Sequence, residues 1–243
     1  NTSIPTNSIW VDEKGELLDR YPMDNYTMYF PGSGKEHPLA PGKSVVVAAY
    51  PIDHSKRTLA AGDVKSPVDL SKADWDIFCG PHSVLDIDVA NIPNMEYAYH
   101  TWGIEFMPGT SGQALILAKL PAGKSVADFV ADQSNFMQAP GKTTASHLMI
   151  PSEYVLDGID IVPAPVNERY KHLLPKTDIG QAWVDGSSDG SLDDSSYTGK
   201  SLRRKVASVV NGVTKFKDTN NSSIDFILGG GVPTPGVIPT KVD

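Results

Sequence analysis

Leu39-Ala-Pro-Gly-Lys-Ser-Val-Val-Val-Ala-Ala-Tyr50 is the stretch whose reading decides the fold class. A Pro-Gly turn feeds a β-branched run, and that order predicts a strand covered on both faces. A second run, Gly112-Gln-Ala-Leu-Ile-Leu-Ala-Lys-Leu120, ends at a Pro-Ala-Gly turn and reads as another buried strand. His147 to Ile150, Val155 to Val162, Leu202 to Val210 and Ile224 to Leu228 complete the strand set. Within Asp157-Gly-Ile-Asp-Ile-Val162 polar and apolar residues partly alternate, as in a strand exposed on one face. Helical spacing is scarce. Val126 to Phe136 places apolar residues at 126, 129, 130 and 136, which predicts a short helix capped by Ser125. Leu70 to Phe78 predicts another turn or two, capped by Ser71. Short strands, many turns and one or two short helices together predict a mainly β sandwich with loop insertions.

The bulk composition agrees. The chain has 243 residues, 40% of them hydrophobic and 21% charged, which suits one globular domain spanning 1–243 with a core of its own. Twenty-one glycines and 19 prolines favour short elements joined by turns. A formal net charge of −8 argues against nucleic acid, whose binders present a basic face. The dense basic cluster Lys200-Ser-Leu-Arg-Arg-Lys205 does not outweigh that balance, and a charged strand edge explains it equally well. Cys79 is the lone cysteine, so no intrachain disulfide forms. No apolar run is long enough to form a transmembrane helix. The chain opens on Asn1-Thr2-Ser3 without initiator, signal peptide or lipoprotein cysteine, which suggests that targeting residues lie upstream. Residues 180–199 are polar and acidic at their centre and read as a long exposed loop.

Several of these pieces resemble the lamin-tail domain in an ordered series. Leu39-Ala-Pro-Gly-Lys-Ser-Val-Val-Val-Ala48 is similar to its Pro-Gly step into a core strand, and Gly112-Gln-Ala-Leu-Ile-Leu117 to the next core strand. Val155-Leu-Asp-Gly-Ile-Asp160 resembles its Val-x-Asp strand, and Gly199-Lys-Ser-Leu-Arg-Arg204 its Gly-x-Ser-Leu-x-Arg strand. Phe216 to Phe226, with Asn221-Ser-Ser-Ile-Asp-Phe226, followed by Pro233-Thr-Pro-Gly236, resembles its closing signature. The series covers Leu39 to Gly236. More narrowly, Asp19-Arg-Tyr-Pro22, residues 29–34 and Ser66-Pro-Val-Asp-Leu-Ser71 resemble an uncharacterised family of exported Bacteroidota lipoproteins. The resemblance implies an immunoglobulin-like, lamin-tail-like sandwich on the cell-surface side of the outer membrane, beside a TonB-dependent transporter or another surface lipoprotein. Lamin-tail domains open with an apolar-Ile-Glu-Ile-x-Asn strand that is absent here, which implies residues before Asn1.

Candidate sites are few. Asp185, Ser187, Asp189, Ser191 and Asp193 alternate oxygen ligands around Gly190, as in a calcium loop, although Ser196 stands where such a loop closes on glutamate. A solvated turn-rich loop accounts for the same residues. Tyr97, Tyr99, His100 and Trp102 form an aromatic strand that would stack a glycan if exposed, or pack as a half-buried strand with polar tips. Trp10, Tyr21, Tyr26, Tyr29 and Phe30 are a second aromatic group with the same two readings. Six scattered histidines give no zinc-helix spacing. Cys79-Gly-Pro-His82 lacks the partners of a thiol site, and no Gly-x-Ser-x-Gly elbow occurs. Gly229-Gly-Gly231 is not followed by a helix and reads as an exit from the last strand rather than a phosphate cradle. The expectation is a non-catalytic binding module, an outer-membrane lipoprotein or accessory uptake subunit. A carbohydrate-binding module and a hydrolase with a loop-built site are the alternatives.

Overall fold

The computed structural model describes residues 10, 18–23, 26–56, 68–80, 86–100, 106, 113–143, 145–162, 172–185 and 199–243. Its strands are β1 (Arg20–Pro22), β2 (Tyr26–Tyr29), β3 (Val47–Ala48), β4 (Trp75–Asp76), β5 (Glu96–His100), β6 (Gln113–Ala118), β7 (Phe136–Gln138), β8 (Ser146–Pro151) and β9 (Val155–Ile161). After them come β10 (Ser201–Arg204), β11 (Val206–Val210), β12 (Val213–Phe216) and β13 (Phe226–Gly231). The α-helices are short: α1 (Val126–Ala131) and α2 (Ser222–Asp225). The fold is mainly β and of the sandwich class.

Two layers carry the core. In one, β8 lies between β1 and β7, antiparallel to both. The other is assembled from two antiparallel pairs, β6–β9 and β10–β13. Residues 182–184 fuse these pairs: Ala182 bridges Ile161 and Val184 bridges Gly229, both in parallel. The Val162 amide donates to the Ala182 carbonyl at 2.9 Å, and the Gly229 amide to the Trp183 carbonyl at 2.9 Å. Strand β8 is covered on both faces. Leu148 and Ile150 pack with Phe129 of α1, Ile116 of β6 and Val155 of β9, while Met149 turns to Trp10 and Ala139. A third cluster, Tyr26, Trp75, Ile77, Cys79 and Met95, sits beneath the β2–β5 pair.

Local sequence explains several boundaries. Helix α1 starts where Ser125 Oγ accepts the Asp128 amide at 3.0 Å. It stops at Ala131 because Asp132 leaves helical geometry and its carboxylate accepts the Ser134 amide, so the expected helix ends five residues before Phe136. No helix forms over residues 70–78. Asp69 accepts the Ser71 amide at 2.9 Å to make a tight turn, and Trp75–Asp76 pairs with β3. The strand expected over residues 39–50 shrinks to Val47–Ala48, and Val45 and Val47 face outward at 40% and 37% exposure. Alternation sets Val46 and Ala48 against Ala73 and Ile92, so that face packs while the face of Val45 and Val47 does not. Likewise β6 packs the partly buried Ile116 against the core but exposes Leu115 and Leu117. The run Leu202 to Val210 divides into β10 and β11, which pair with different strands.

The glycine triplet lies inside β13 rather than beyond it, with Gly231 opposite Ser201. Gly229 and Gly230 take φ of +79° and +73°, a backbone that a side chain would strain. The kink lets β13 reach both Val184 and β10.

Candidate functional site

The aromatic strand β5 divides its residues between two faces. It pairs with β2 through Tyr26↔His100, Thr27↔Tyr99 and Met28↔Tyr97, so Ala98 is an extra residue that the partner strand does not match. This bulge puts Tyr97 and His100 on one face and Tyr99 on the other. His100 stacks on Tyr26 with centroids 5.6 Å apart, and Tyr97 meets His100 edge-on at 5.8 Å. Tyr99 instead packs edge-on against Phe136, and its hydroxyl donates to the Ser146 carbonyl at 2.7 Å. Trp102 lies outside the described residues. Tyr97, at 40% exposure, is thus separated from Tyr99, and the two rings do not share a platform. In the early aromatic group, Trp10, Tyr21 and Tyr26 are core, while Phe30 sits at the surface edge-on to Trp75.

Of the expected calcium ligands, Asp185 is described; Ser187, Asp189 and Asp193 lie outside the described residues. The Asp185 amide donates to the Gly229 carbonyl at 3.0 Å, which ties the start of that loop to β13. Residues 180–184 before it are mostly buried and hydrogen-bonded in the layer. Cys79 is buried, and burial together with the nearby Asp86 pushes its thiol up to about 11, far from a reactive thiolate. His82 lies outside the described residues.

Sequence reading gave no role to a set of buried carboxylates, because aspartates so far apart along the chain carry no spacing signal. Asp160, Asp178 and Asp225 are each about 1% exposed or less. Asp160 accepts the His172 and Leu173 amides at 2.8 and 3.0 Å. Asp178 accepts the Gly180 and Ser222 amides at 2.9 and 2.8 Å, and the Asp160 amide at 3.1 Å. Asp225 accepts the Thr219 amide and hydroxyl, both at 2.8 Å, and the Asn221 amide at 3.2 Å. Each carboxylate is spent on backbone amides, buried around Asp178 and part-buried around Thr219 and His172. These residues build the scaffold. For Asp225, burial alone would raise the carboxyl, but the Thr219 and Asn221 bonds and the Arg204 charge outweigh it and hold it below the ordinary aspartate range. A depressed native value adds stability above the unfolded pKa near 3.8, and that stability is lost as pH falls through the native value. Asp225→Asn is therefore expected to melt earlier than the parent at neutral pH, with the gap closing in acid. A gap in melting temperature that is unchanged down to about pH 3 would contradict this.

The basic cluster is spent in a similar way. Arg204 grips Asp157 with two bonds of 2.6 and 2.8 Å, and its guanidinium lies 4.8 Å from the Phe226 ring centre. Arg203 grips Asp243 at 2.6 and 2.9 Å, and Lys205 donates to the Ile224 carbonyl at 3.0 Å. Beside these pairs runs an open groove of about 500 Å3 between β10, β12 and the segment after β13. Leu70, Leu202, Phe216, Pro235, Val237 and Pro239 line it, and Arg203 and Arg204 stand at its side. Its rim is continuous with exposed Val213 and Val237, and Gly42 and Gly236 bring the 42–46 turn against the same edge. Among the described residues no group of three histidine, cysteine or carboxylate side chains makes a metal centre, and no helix is long and apolar enough to cross a membrane.

The sequence profile of a family described as "Protein of unknown function (DUF4876)" matches residues 40–230. The crystal structure of a DUF4876 family protein from Bacteroides thetaiotaomicron superposes with a TM-score of 0.77 at 22% identity. That alignment covers 100% of this chain and 62% of the Bacteroides chain. No curated protein matches the sequence.

Proposed function

We propose that this chain, which belongs to the DUF4876 family of proteins of unknown function, is a non-catalytic β-sandwich module that binds a protein partner through the groove beside β10. The observation that carries the reading is the groove's chemistry: an apolar, proline-walled trough whose two arginines are already neutralised by Asp243 and Asp157. Neutralised arginines offer little to a free anion. Proline and aliphatic walls suit an apolar segment of another protein, whose burial supplies the binding free energy. Exposed Val213, Phe216 and Val237 extend the same surface.

In this reading the domain is lamin-tail-like and the protein is a surface lipoprotein of the outer membrane. Its partner is a TonB-dependent transporter or a second surface lipoprotein. The likeness to a Bacteroides protein supports that setting. Tyr97, Tyr99 and His100 are less suited to a glycan, since the bulge at Ala98 parts the tyrosines.

The test is native co-purification from membranes, with the parent and with Val237→Asp, a change at a 63%-exposed position that leaves the core intact. The expected result is a stable outer-membrane partner with the parent and its loss with the variant. A protein recovered alone and soluble, or a partner held equally by both forms, would overturn the reading.

A further inference from the structure

The loop region over β4 holds an arrangement that neither the fold nor the groove uses. Asp76 is 0% exposed. Its amide donates to the Pro93 carbonyl at 2.9 Å and its carbonyl accepts the Met95 amide at 2.8 Å, which sets Asn94 beside it in a parallel bridge. Residues paired in this way send their side chains to the same side. Asn94 Nδ2 donates to Asp88 Oδ1 at 3.3 Å, and the amide of the next residue, Val89, makes a long contact of 3.4 Å to Asp76 Oδ2. Asn94 thus stands beside Asp76 and bonds Asp88 directly, while Asp76 meets the chain next to Asp88 through the Val89 amide.

Two oxygens on these bridged neighbours are buried and accept no hydrogen bond: Asp76 Oδ1 and Asn94 Oδ1. A buried acceptor without a donor is costly, and a buried carboxylate oxygen more so. The contrast within the same molecule is informative, because Asp178 and Asp225 fill their oxygens with backbone amides. Asp86 adds negative charge nearby, although its own oxygens are taken by the Cys79 and Ile87 amides.

We infer that Asp76, Asp88 and Asn94 form a calcium site, with Asp76 Oδ1, the Asp88 carboxylate and Asn94 Oδ1 as protein ligands. The donors are all oxygen, the set preferred by hard cations over zinc or copper. Two carboxylates and one amide, completed by water, suit the larger and less demanding shell of calcium better than the strict octahedron of magnesium. The set holds two carboxylates and an amide, in keeping with the absence of any trio of carboxylate, histidine or cysteine ligands among the described residues. The site shares no residue with the acidic stretch after Asp185 or with the lining of the groove.

The experiment is a calcium titration of the full chain after chelation, followed by thermal melting and calorimetry, with magnesium as comparison. The expected result is a rise in melting temperature with calcium and a dissociation constant on the order of 10⁻⁴ to 10⁻³ M, as in extracellular modules with few ligands. Asp88→Asn and Asn94→Ala, both outside the buried core, should keep the fold and weaken binding by about tenfold or more, while Asp76→Asn should abolish it. Asp189→Asn, in the polar loop, should change nothing. No calcium response in the parent protein overturns the inference. So does a response undiminished in Asp88→Asn and Asn94→Ala, or one lost in Asp189→Asn.

Discussion

Asp178→Ala is expected to destabilise the fold by about 3–5 kcal/mol, read as a drop in the urea unfolding midpoint. The Asp178 carboxylate takes three amides from three separate places: Asp160 at the end of β9, Gly180 in the following turn and Ser222 at the start of α2. Removing it takes these bonds from three buried amides, each bond worth about 1–3 kcal/mol where it cannot be replaced, less what local relaxation and water recover. Asp178→Asn keeps one carbonyl oxygen and should lose roughly half as much. An alanine variant as stable as the parent would mean that water replaces the carboxylate, and the bonds at 2.8 and 2.9 Å would then matter little.

Gly180→Ala should be comparably damaging, at about 3 kcal/mol or more, for a different reason. Its backbone passes so close to α2 that a Cβ would stand 2.4 Å from the Ser223 nitrogen and 2.7 Å from the Ser222 nitrogen. Both are main-chain atoms and cannot swing aside as a side-chain tip would. Accommodating the methyl means lifting the turn off α2, which breaks the Asp178 bonds to Gly180 and Ser222 together. The two substitutions should therefore be strongly non-additive: the double variant should cost little more than the worse single one. Independent, summed effects in the same denaturation series would separate the turn from the carboxylate and refute this coupling.

Much of the architecture was legible from residues, and the structure explains which parts. Val155 to Asp160, Gly199 to Arg204 and Asn221 to Phe226 stood out as separate pieces of an ordered pattern. In space they are one unit. Asp157 of the first is gripped by Arg204 of the second, whose guanidinium lies on Phe226 of the third, and Asp225 organises the loop before it. Such motifs are readable because charged and aromatic residues in a scaffold have few substitutes. Burial was read less well. The valines of residues 45–47 look equally apolar on either face, and sequence does not say that the Val46 face packs while Val45 and Val47 stay exposed. The aromatic strand failed for a related reason. Period-two alternation places Tyr97 and Tyr99 together, whereas the added residue at Ala98 separates them, and a register change of that kind leaves no trace in composition. The roles of Asp76, Asp160 and Asp178 leave no mark in the sequence, because they come from distant segments that fold over them.

The antiparallel ladder of β1 on β8 has a consequence for how the chain is made. Tyr21 pairs with Ile150, roughly 130 residues further along. At about 5–20 residues per second, the first strand leaves the ribosome some 6–25 s before its neighbour exists. During that interval Tyr21 and its apolar surroundings have no native shelter, whereas the β11–β12 hairpin can close within microseconds of emerging. Native assembly of the layer around β8 must then await a late, long-range closure, and such closures are slow. A holdase that shields the early segment should raise the yield of folded protein more than one acting on the finished chain.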